Sequence, residues 1–524
     1  MRPRRLGVTA AAALLAGPVD APSHATEQHP PPRRIVERLD RGLVAVPSGK
    51  GTFLSWRLLG TEYALPQVLG SARTGGTPTG DAIAFNVYKG GRRLNRAPVI
   101  RSTTYQDDSR GTGTYAVRAV VNGHERKPSS AALDFAKGYA EIPLAAVDAP
   151  AAISGSTAIG GYRNDDNVTV YDLDGDGRAE VLVHTADGTT FADGAKVTAD
   201  SPANQFISVI DGETGLECTR QPVPDDLVAG GPSGGHFGIA YLDGVHPSLV
   251  TKLVTRVGAK RGAFRILFQT WDFNGTDLRR RWKYVVPAGS GATSFHQIRT
   301  VDVDQDGKDE IADGNYVEGG DGTLRYVVDG AGHGDRFDIA DLDVGRGSAA
   351  DIDPGHPGYE YWTSTADVTR PGAGVFNVRD GKISTTTPSV NFRIWWDGDK
   401  GAELLDYTHV DKWDPKTETS TRLFDPAGVV SGARNATPFY GDLLGDWREE
   451  ILAETGDHTA LRLYTTTEPT KTRIYTLAQN PGYRLGWTVR GYLQSTYTDY
   501  YLGTETRRVP KPAITTAART EGTS

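Results

Sequence analysis

The sequence predicts an all-β protein, a β-propeller preceded by a small fibronectin type III-like β-sandwich. Three observations carry that expectation. Short apolar runs alternate with polar residues along most of the chain. Acidic or glycine-rich loops separate the runs at regular spacing, and no stretch carries a long amphipathic helix. The 63 glycines and 22 tyrosines among 524 residues suit many turns and many half-buried strands. A barrel of alternating strands and helices, or a doubly wound sheet, needs long helices between its strands and is excluded.

Taken in order, the chain opens with a basic region (Arg2, Arg4, Arg5), a short apolar run from Leu6 to Ala16, and the small-x-small site Ser23-His24-Ala25. This is the pattern of an export signal over residues 1–25, so the mature protein is expected outside the cell. A proline-rich linker covers 26–37. Residues 38–135 hold GTFLSWRLLG, AIAFNVYKGGRRLN and GTYAVRAVVNG, alternating strands with glycine and Asn-Gly turns, which read as the β-sandwich with Trp56 in its core. From residue 138 to 505 the texture changes. Units such as NVTVYDLDGDGRAEVLVHTADG and HQIRTVDVDQDGKDEIADGNYV recur, and a spacing of roughly 40–50 residues per four-stranded unit gives seven or eight blades. The tail, 506–524, reads as disordered.

The formal net charge of −8 argues against nucleic acid as a partner, and no later run is long enough to cross a membrane. The chain is expected to act as a monomer. Its one cysteine, Cys218, allows no intrachain disulfide and is expected as a buried small hydrophobe.

The densest chemistry lies in two acidic loops. Asp172, Asp174 and Asp176 alternate, Gly177 follows, and Glu180 closes the set; Asp302, Asp304, Asp306, Gly307 and Glu310 repeat it. Carboxylates this close repel unless a cation sits between them. A loop curled round Ca²⁺ offers oxygens from alternate residues and one backbone carbonyl, here at Arg178 and Lys308. Asp341 with Asp343, and Asp351 with Asp353, join this metal set. Several Ca²⁺ sites are therefore expected as structural staples of a disulfide-free exported fold.

The order of motifs resembles the rhamnogalacturonan lyases of polysaccharide lyase family 11. It runs through GTFLSWRLLGTE, YDLDGDGRAE, TWDFNGTDLRRRWKY, VDVDQDGKDEI, GHGDRFDIADLD, ADIDPGHPGYE, WWDGDKGAELLD, THVDKWD, GDLLGDWREEI and LRLYTTTEPTKTRIYTL. The resemblance implies an eight-bladed propeller with several calcium ions, secreted to cleave the acidic plant cell-wall polysaccharide rhamnogalacturonan I. The chain departs from the family pattern at His184, where lysine is usual, at Gln479-Asn480, where His-Asp is usual, and at 493–497. Those departures leave room for another rhamnose–uronate polymer as substrate, or for a non-catalytic propeller that binds acidic glycans.

A uronate lyase removes the proton on C5 beside a carboxylate, so it needs a base near C5 and a cation on that carboxylate. Lys471 and His333 are the expected proton-handling groups, with Arg484 or Arg473 on the carboxylate. Tyr483 adds a phenol to that cationic cluster, while His296, just before the second acidic loop, and His184 are further bases. Lys471 and Arg473 point the same way if their segment is a strand. Arg448, Lys412, His409 and Trp396 are the expected substrate contacts. His409 and Asp411 share one strand face and Lys412 takes the other, and of Trp395 and Trp396 at least one is expected at the surface.

Overall fold

The computed structural model describes residues 33–63, 83–144, 168–186, 190–223, 234–256, 264–287, 298–313, 316–327, 347–363, 374–431, 439–489 and 498–516, less the single residues 110, 112, 132, 192, 199, 204, 390, 499 and 508. All of them belong to one unit running from Pro32 to Ser524. Almost everything regular in it is strand, and the one α-helix among the described residues is α1, Pro481–Gly486.

The alternating runs near the start form two facing sheets. Val44–Ser48, Gly51–Ser55 and Thr104–Asp107 make the first, and Ala84–Lys89 with Tyr115–Val121 centre the second. The apolar faces meet at Leu54, Trp56, Phe85, Val87 and Val117, with Trp56 and Phe85 edge-to-face at 5.4 Å. Trp56 is a core residue, as its flanking alternation predicts. The Asn122-Gly123 pair turns the second sheet with φ of 51° and 78°, the left-handed pair that a tight hairpin requires.

Six further antiparallel sheets of four strands or more follow among the described residues. The first runs from Val168–Tyr171 to Glu217–Pro222, the second from Gly234–Ala240 to Leu278–Val285, and the third from Ile298–Val301 to Leu324–Val327. The fourth runs from Gly347–Ala350 to Gly381–Ser384 and the fifth from Phe392–Ile394 to Thr419–Phe424. In these five each strand pairs with the next in sequence. The sixth differs. Phe439–Gly441, Glu450–Thr455 and Ala460–Tyr464 pair in order, and the strand beyond them is Ala140–Pro143, taken from before the first sheet.

Neighbouring sheets share their apolar faces. Leu182 and Ile207 of the first pack with Phe237 and Leu249 of the second, and Val250 and Phe268 of the second with Ile298 and Ile311 of the third. Leu405 and Val410 of the fifth pack with Tyr440 and Ile451 of the sixth. The fifth sheet is covered on both sides, since Ala350 and Trp362 of the fourth also pack with Leu404 and Trp395, and this explains a departure from the sequence reading. Trp395 and Trp396 do point to opposite faces, yet both are buried, Trp395 against Trp447 and Trp396 against Phe424. Cys218 departs the other way: it lies on the last strand of the first sheet and is exposed.

Candidate functional site

In every one of the six sheets the first strand reaches the second through a short loop: 172–179, 241–247, 302–309, 351–359, 395–402 and 442–449. In five of them the second strand begins on a buried glutamate, Glu180, Glu310, Glu360, Glu403 or Glu450. Each of these folds its carboxylate back onto backbone N–H groups of its own loop. Leu173 N donates to Glu180 at 2.8 Å, Val303 N to Glu310 at 3.0 Å and Ile352 N to Glu360 at 3.0 Å. Trp396 N donates to Glu403 at 2.7 Å, and Leu443 N and Leu444 N both donate to Glu450 at 2.8 Å. The second sheet has Ser248 at that place instead, bonded to Asp272 at 2.7 Å.

The two acidic loops read from the sequence have the same shape. Gly177 N reaches Asp172 Oδ2 and Gly307 N reaches Asp302 Oδ2, both at 2.9 Å, and both glycines sit at φ 92°. That left-handed backbone is why glycine stands there. Carboxylate oxygens of Asp172, Asp174 and Glu180 lie within 4.8 Å of one another, as do those of Asp302, Asp304 and Asp306. Burial, reinforced by the neighbouring carboxylates, pushes Asp172 up to about 7 and Glu180 up to about 8.

Fit to a cation rests on a further observation. The Oδ1 atoms of Asp172, Asp302, Asp351 and Asp442 are all buried without a hydrogen-bond partner. These four aspartates occupy the same place, the first residue of their loops. A buried carboxylate oxygen left unpaired is costly, and a hard divalent cation removes that cost. The first and third loops therefore fit Ca²⁺, and the fourth offers Asp351, Asp353 and Glu360 toward one. Arg178 and Lys308 turn their side chains outward; Arg178 pairs with Asp176 at 2.7 Å, and Lys308 is exposed. Asp341 and Asp343 lie outside the described residues.

The fifth loop keeps Asp397, Asp399 and Glu403 within the same 4.8 Å but encloses a side chain. Lys412 Nζ lies 2.9 Å from Asp397, 3.3 Å from Asp399 and 2.5 Å from Glu403. Burial works against the ammonium charge, yet these carboxylates outweigh it and hold the lysine pKa above its usual value.

Of the residues expected around the proton and the uronate carboxylate, Lys471, Arg473, Tyr483 and Arg484 lie on the segment after the sixth sheet, and all but Lys471 are interior. Tyr483 is fully buried; its hydroxyl donates to Glu449 at 2.7 Å and accepts Asp442 N at 2.9 Å. Glu449 also holds Arg393 at 2.8 Å. Arg484 donates to Glu37 at 2.6 and 2.9 Å and lies over the Tyr171 and Trp487 rings. Arg473 donates to the carbonyls of Ile83 and Ile100, which ties this segment to the β-sandwich. Its segment is not a strand, so Lys471 and Arg473 do not share a face: Lys471 is exposed and Arg473 buried.

α1 and the residues after it touch the first strands of several sheets. Arg484 reaches Val170 O of the first, Thr488 accepts Ile239 N of the second, Val489 packs on Ile298 of the third and Trp487 meets Phe439 of the sixth. His184 is fully buried, 3.1 Å from Gln205. His409 is partly buried, 3.5 Å from Asp411 and stacked on Tyr407. Arg448 is buried, paired with Asp446 at 3.0 Å and bonded to the carbonyls of Asp397 and Glu468. His296 and His333 lie outside the described residues.

Residues 160–344 and 339–512 match the model of the rhamnogalacturonan lyase family 11 C-terminal domain. The chain belongs to rhamnogalacturonan lyase family 11. Residues 34–134 of this family-11 chain match the rhamnogalacturonan I lyase beta-sheet domain. It is 33% identical, over an alignment 620 positions long with gaps, to the rhamnogalacturonan endolyase YesW of Bacillus subtilis (strain 168), with 92% of this chain and 94% of that one covered. It is 32% identical to the rhamnogalacturonan exolyase YesX of the same organism, covering 92% and 98%. The crystal structure of YesX superposes with a TM-score of 0.77 at 30% identity, covering 93% of this chain and all of that one. The family 11 lyase of Bacillus licheniformis gives the same TM-score at 29% identity, covering 92% and 100%.

Proposed function

We propose that this family-11 protein is a secreted, calcium-dependent lyase that cleaves the rhamnogalacturonan I backbone by β-elimination. The observation that carries the reading is the match to family-11 domains along 160–512, together with alignment of 92% of the chain to two rhamnogalacturonan lyases. The reading takes the six described sheets as blades of a β-propeller, eight-bladed by the sequence expectation, and the paired sheets at 38–135 as its fibronectin type III-like sandwich. The succession of meander sheets, closed by Ala140–Pro143 and packed round the segment that carries α1, supports it.

In this reaction a base takes the C5 proton of a galacturonate unit. The C5 electron pair becomes the C4=C5 double bond, the C4–O bond breaks, and the departing oxygen takes a proton to leave as a rhamnosyl hydroxyl. Bound Ca²⁺ would cross-link the acidic loops through Asp172, Asp174 and Glu180, and through Asp302, Asp304, Asp306 and Glu310. Among the expected proton-handling groups, Lys471 is the one that the described residues place at the surface, and it is assigned here to the C5 proton.

The test is the ultraviolet absorbance of the 4,5-unsaturated uronate during incubation with rhamnogalacturonan I, with calcium or with a chelator. A rise that the chelator abolishes supports the reading. A rise only on another rhamnose–uronate polymer moves the substrate. New reducing ends without absorbance mean hydrolysis, and neither signal from folded, calcium-loaded protein means a binding role. Lys471→Ala is expected to lower kcat about 100-fold or more while leaving the melting temperature unchanged.

A further inference from the structure

The five glutamate-closed loops differ in what the third strand sets against the glutamate. Glu180 faces another acid, Asp211. Glu360 faces Asn377, which donates to it at 2.7 Å. In the sixth sheet Thr465 follows the Tyr464–Ile451 pair and donates to Glu450 at 2.8 Å. In the fifth sheet Leu404 pairs with Asp411, so the next step brings Lys412 against Glu403. A hydrogen-bonded ladder fixes that position, so the ammonium group is delivered into the loop by the register of the sheet.

A second difference coincides with the first. In the other four of these loops the first residue is an aspartate with an unpartnered, buried Oδ1: Asp172, Asp302, Asp351 and Asp442. In the fifth that residue is Trp395, packed on Trp447. The fifth loop has therefore lost the oxygen that the others aim inward and gained an ammonium on its closing glutamate, a pairing that none of the other four shows among the described residues.

We propose that the Lys412 ammonium is the resident cation of the 395–403 loop, which is closed without metal, and that Lys412 is a positioning residue rather than a carbohydrate contact. The loop it closes is an anchor for distant chain. Gly398 O accepts the Thr470 hydroxyl at 2.8 Å, Asp397 O accepts Arg448 at 3.2 Å, and Lys400 donates to the carbonyls of Thr504 and Thr506 at 2.7 and 2.6 Å. Thr470 immediately precedes Lys471. An internal cation thus keeps that stretch in place whatever the calcium supply, while the first and third loops depend on it. This inference rests on the calcium reading above for the contrast between loops, but not for the lysine itself.

The test has two arms on the full-length protein. In the first, crystals grown with Ca²⁺ are measured for anomalous scattering. Peaks in the 172–180 and 302–310 loops and none in the 395–403 loop support the proposal, and a peak in the 395–403 loop overturns it. In the second, ions per chain and melting temperature are measured for the wild type, Lys412→Gln and Lys412→Arg. Lys412→Gln is expected to bind one more Ca²⁺ than the wild type, to melt roughly 4–8 °C lower in chelator, and to regain most of that loss in millimolar Ca²⁺. Lys412→Arg keeps the wild-type ion count. An unchanged ion count in Lys412→Gln, with a raised KM for polysaccharide, overturns the proposal and restores Lys412 as a substrate contact. Absence of calcium from every wild-type loop sinks the calcium reading instead, and the extra ion in Lys412→Gln, present or absent, still decides this one.

Discussion

The 172–180 loop and the 395–403 loop are built on one frame and neutralised in two ways. Both span the same sheet position, and both fold a buried glutamate back on their own amides. In the first, the carboxylates crowd each other and burial holds their protons near neutrality. In the fifth, a lysine from the same sheet threads between them. The difference teaches that an acidic loop is not by itself a metal loop. What the third strand sends into it decides, and that strand lies outside the motif.

The comparison breaks most sharply under chelation. Excess chelator is expected to abolish activity and to raise amide hydrogen exchange in 172–180 and 302–310 by an order of magnitude or more, with 395–403 still protected. Equal loss of protection in all three loops removes the distinction. Next in size are matched substitutions. Glu403→Gln is expected to cost about 1–3 kcal/mol in chelator and in calcium alike, since it strands part of the Lys412 charge. Glu180→Gln should destabilise only when Ca²⁺ is present and be neutral or stabilising in chelator, where Glu180 must take up a proton to stay buried and glutamine need not. Urea midpoints of both variants in both buffers check this.

A smaller effect comes with pH. Asp172 and Glu180 bind protons in the chelated folded protein up to about 7 and about 8, above their ordinary carboxylate values. The folded state therefore holds more protons than the unfolded one across that window, and chelated protein should lose stability as pH rises from roughly 4 to 8. With calcium bound these carboxylates are already deprotonated, so the melting-temperature gain from calcium should grow with pH over the same range. A gain that shrinks with pH contradicts the assignment. The smallest expected change is Asp399→Asn. Asp399 is 59% exposed, so its share of the Lys412 cage should be worth about 0–1 kcal/mol by thermal melting.

The first and third loops were legible because their aspartates alternate around a glycine. The fifth and sixth were not, because Trp395, Leu444 and Trp447 break that alternation. A shorter signal survives in them: Gly175-Asp176 with Glu180, Gly398-Asp399 with Glu403, and Gly445-Asp446 with Glu450 share Gly-Asp followed by Glu four residues on. In the third loop Gln305 takes the place of the glycine, at φ 63°. That pattern would have found three of the five buried glutamates, Glu180, Glu403 and Glu450, but not Glu310 or Glu360. The strands themselves were readable from alternation, as the sandwich core at Trp56, Phe85 and Val117 illustrates.

The interior fate of Arg484, Arg473 and Tyr483 was not readable. Their charge and phenol are visible in the sequence, but their partners are distant: Glu37 for Arg484, and the Ile83 and Ile100 carbonyls for Arg473. A dense run of polar side chains looks like a cleft until the chain that caps it is known. His184 is a similar case, a lone histidine whose place is decided by Gln205 on the neighbouring strand.

The pairing of Ala140–Pro143 with Ala460–Tyr464 also sets an order of events during synthesis. Pro143 faces Ala460 across more than three hundred residues of intervening chain. As the polypeptide leaves the ribosome, its early strand waits as an unpaired edge until the last sheet has been made. Closure is therefore a late, non-local step, which places this fold among the slow folders. A chain that stops before residue 460 leaves the two ends unfastened, however complete its middle sheets are. Pro143 suits the wait: without an amide hydrogen it is a poor template for a stray strand.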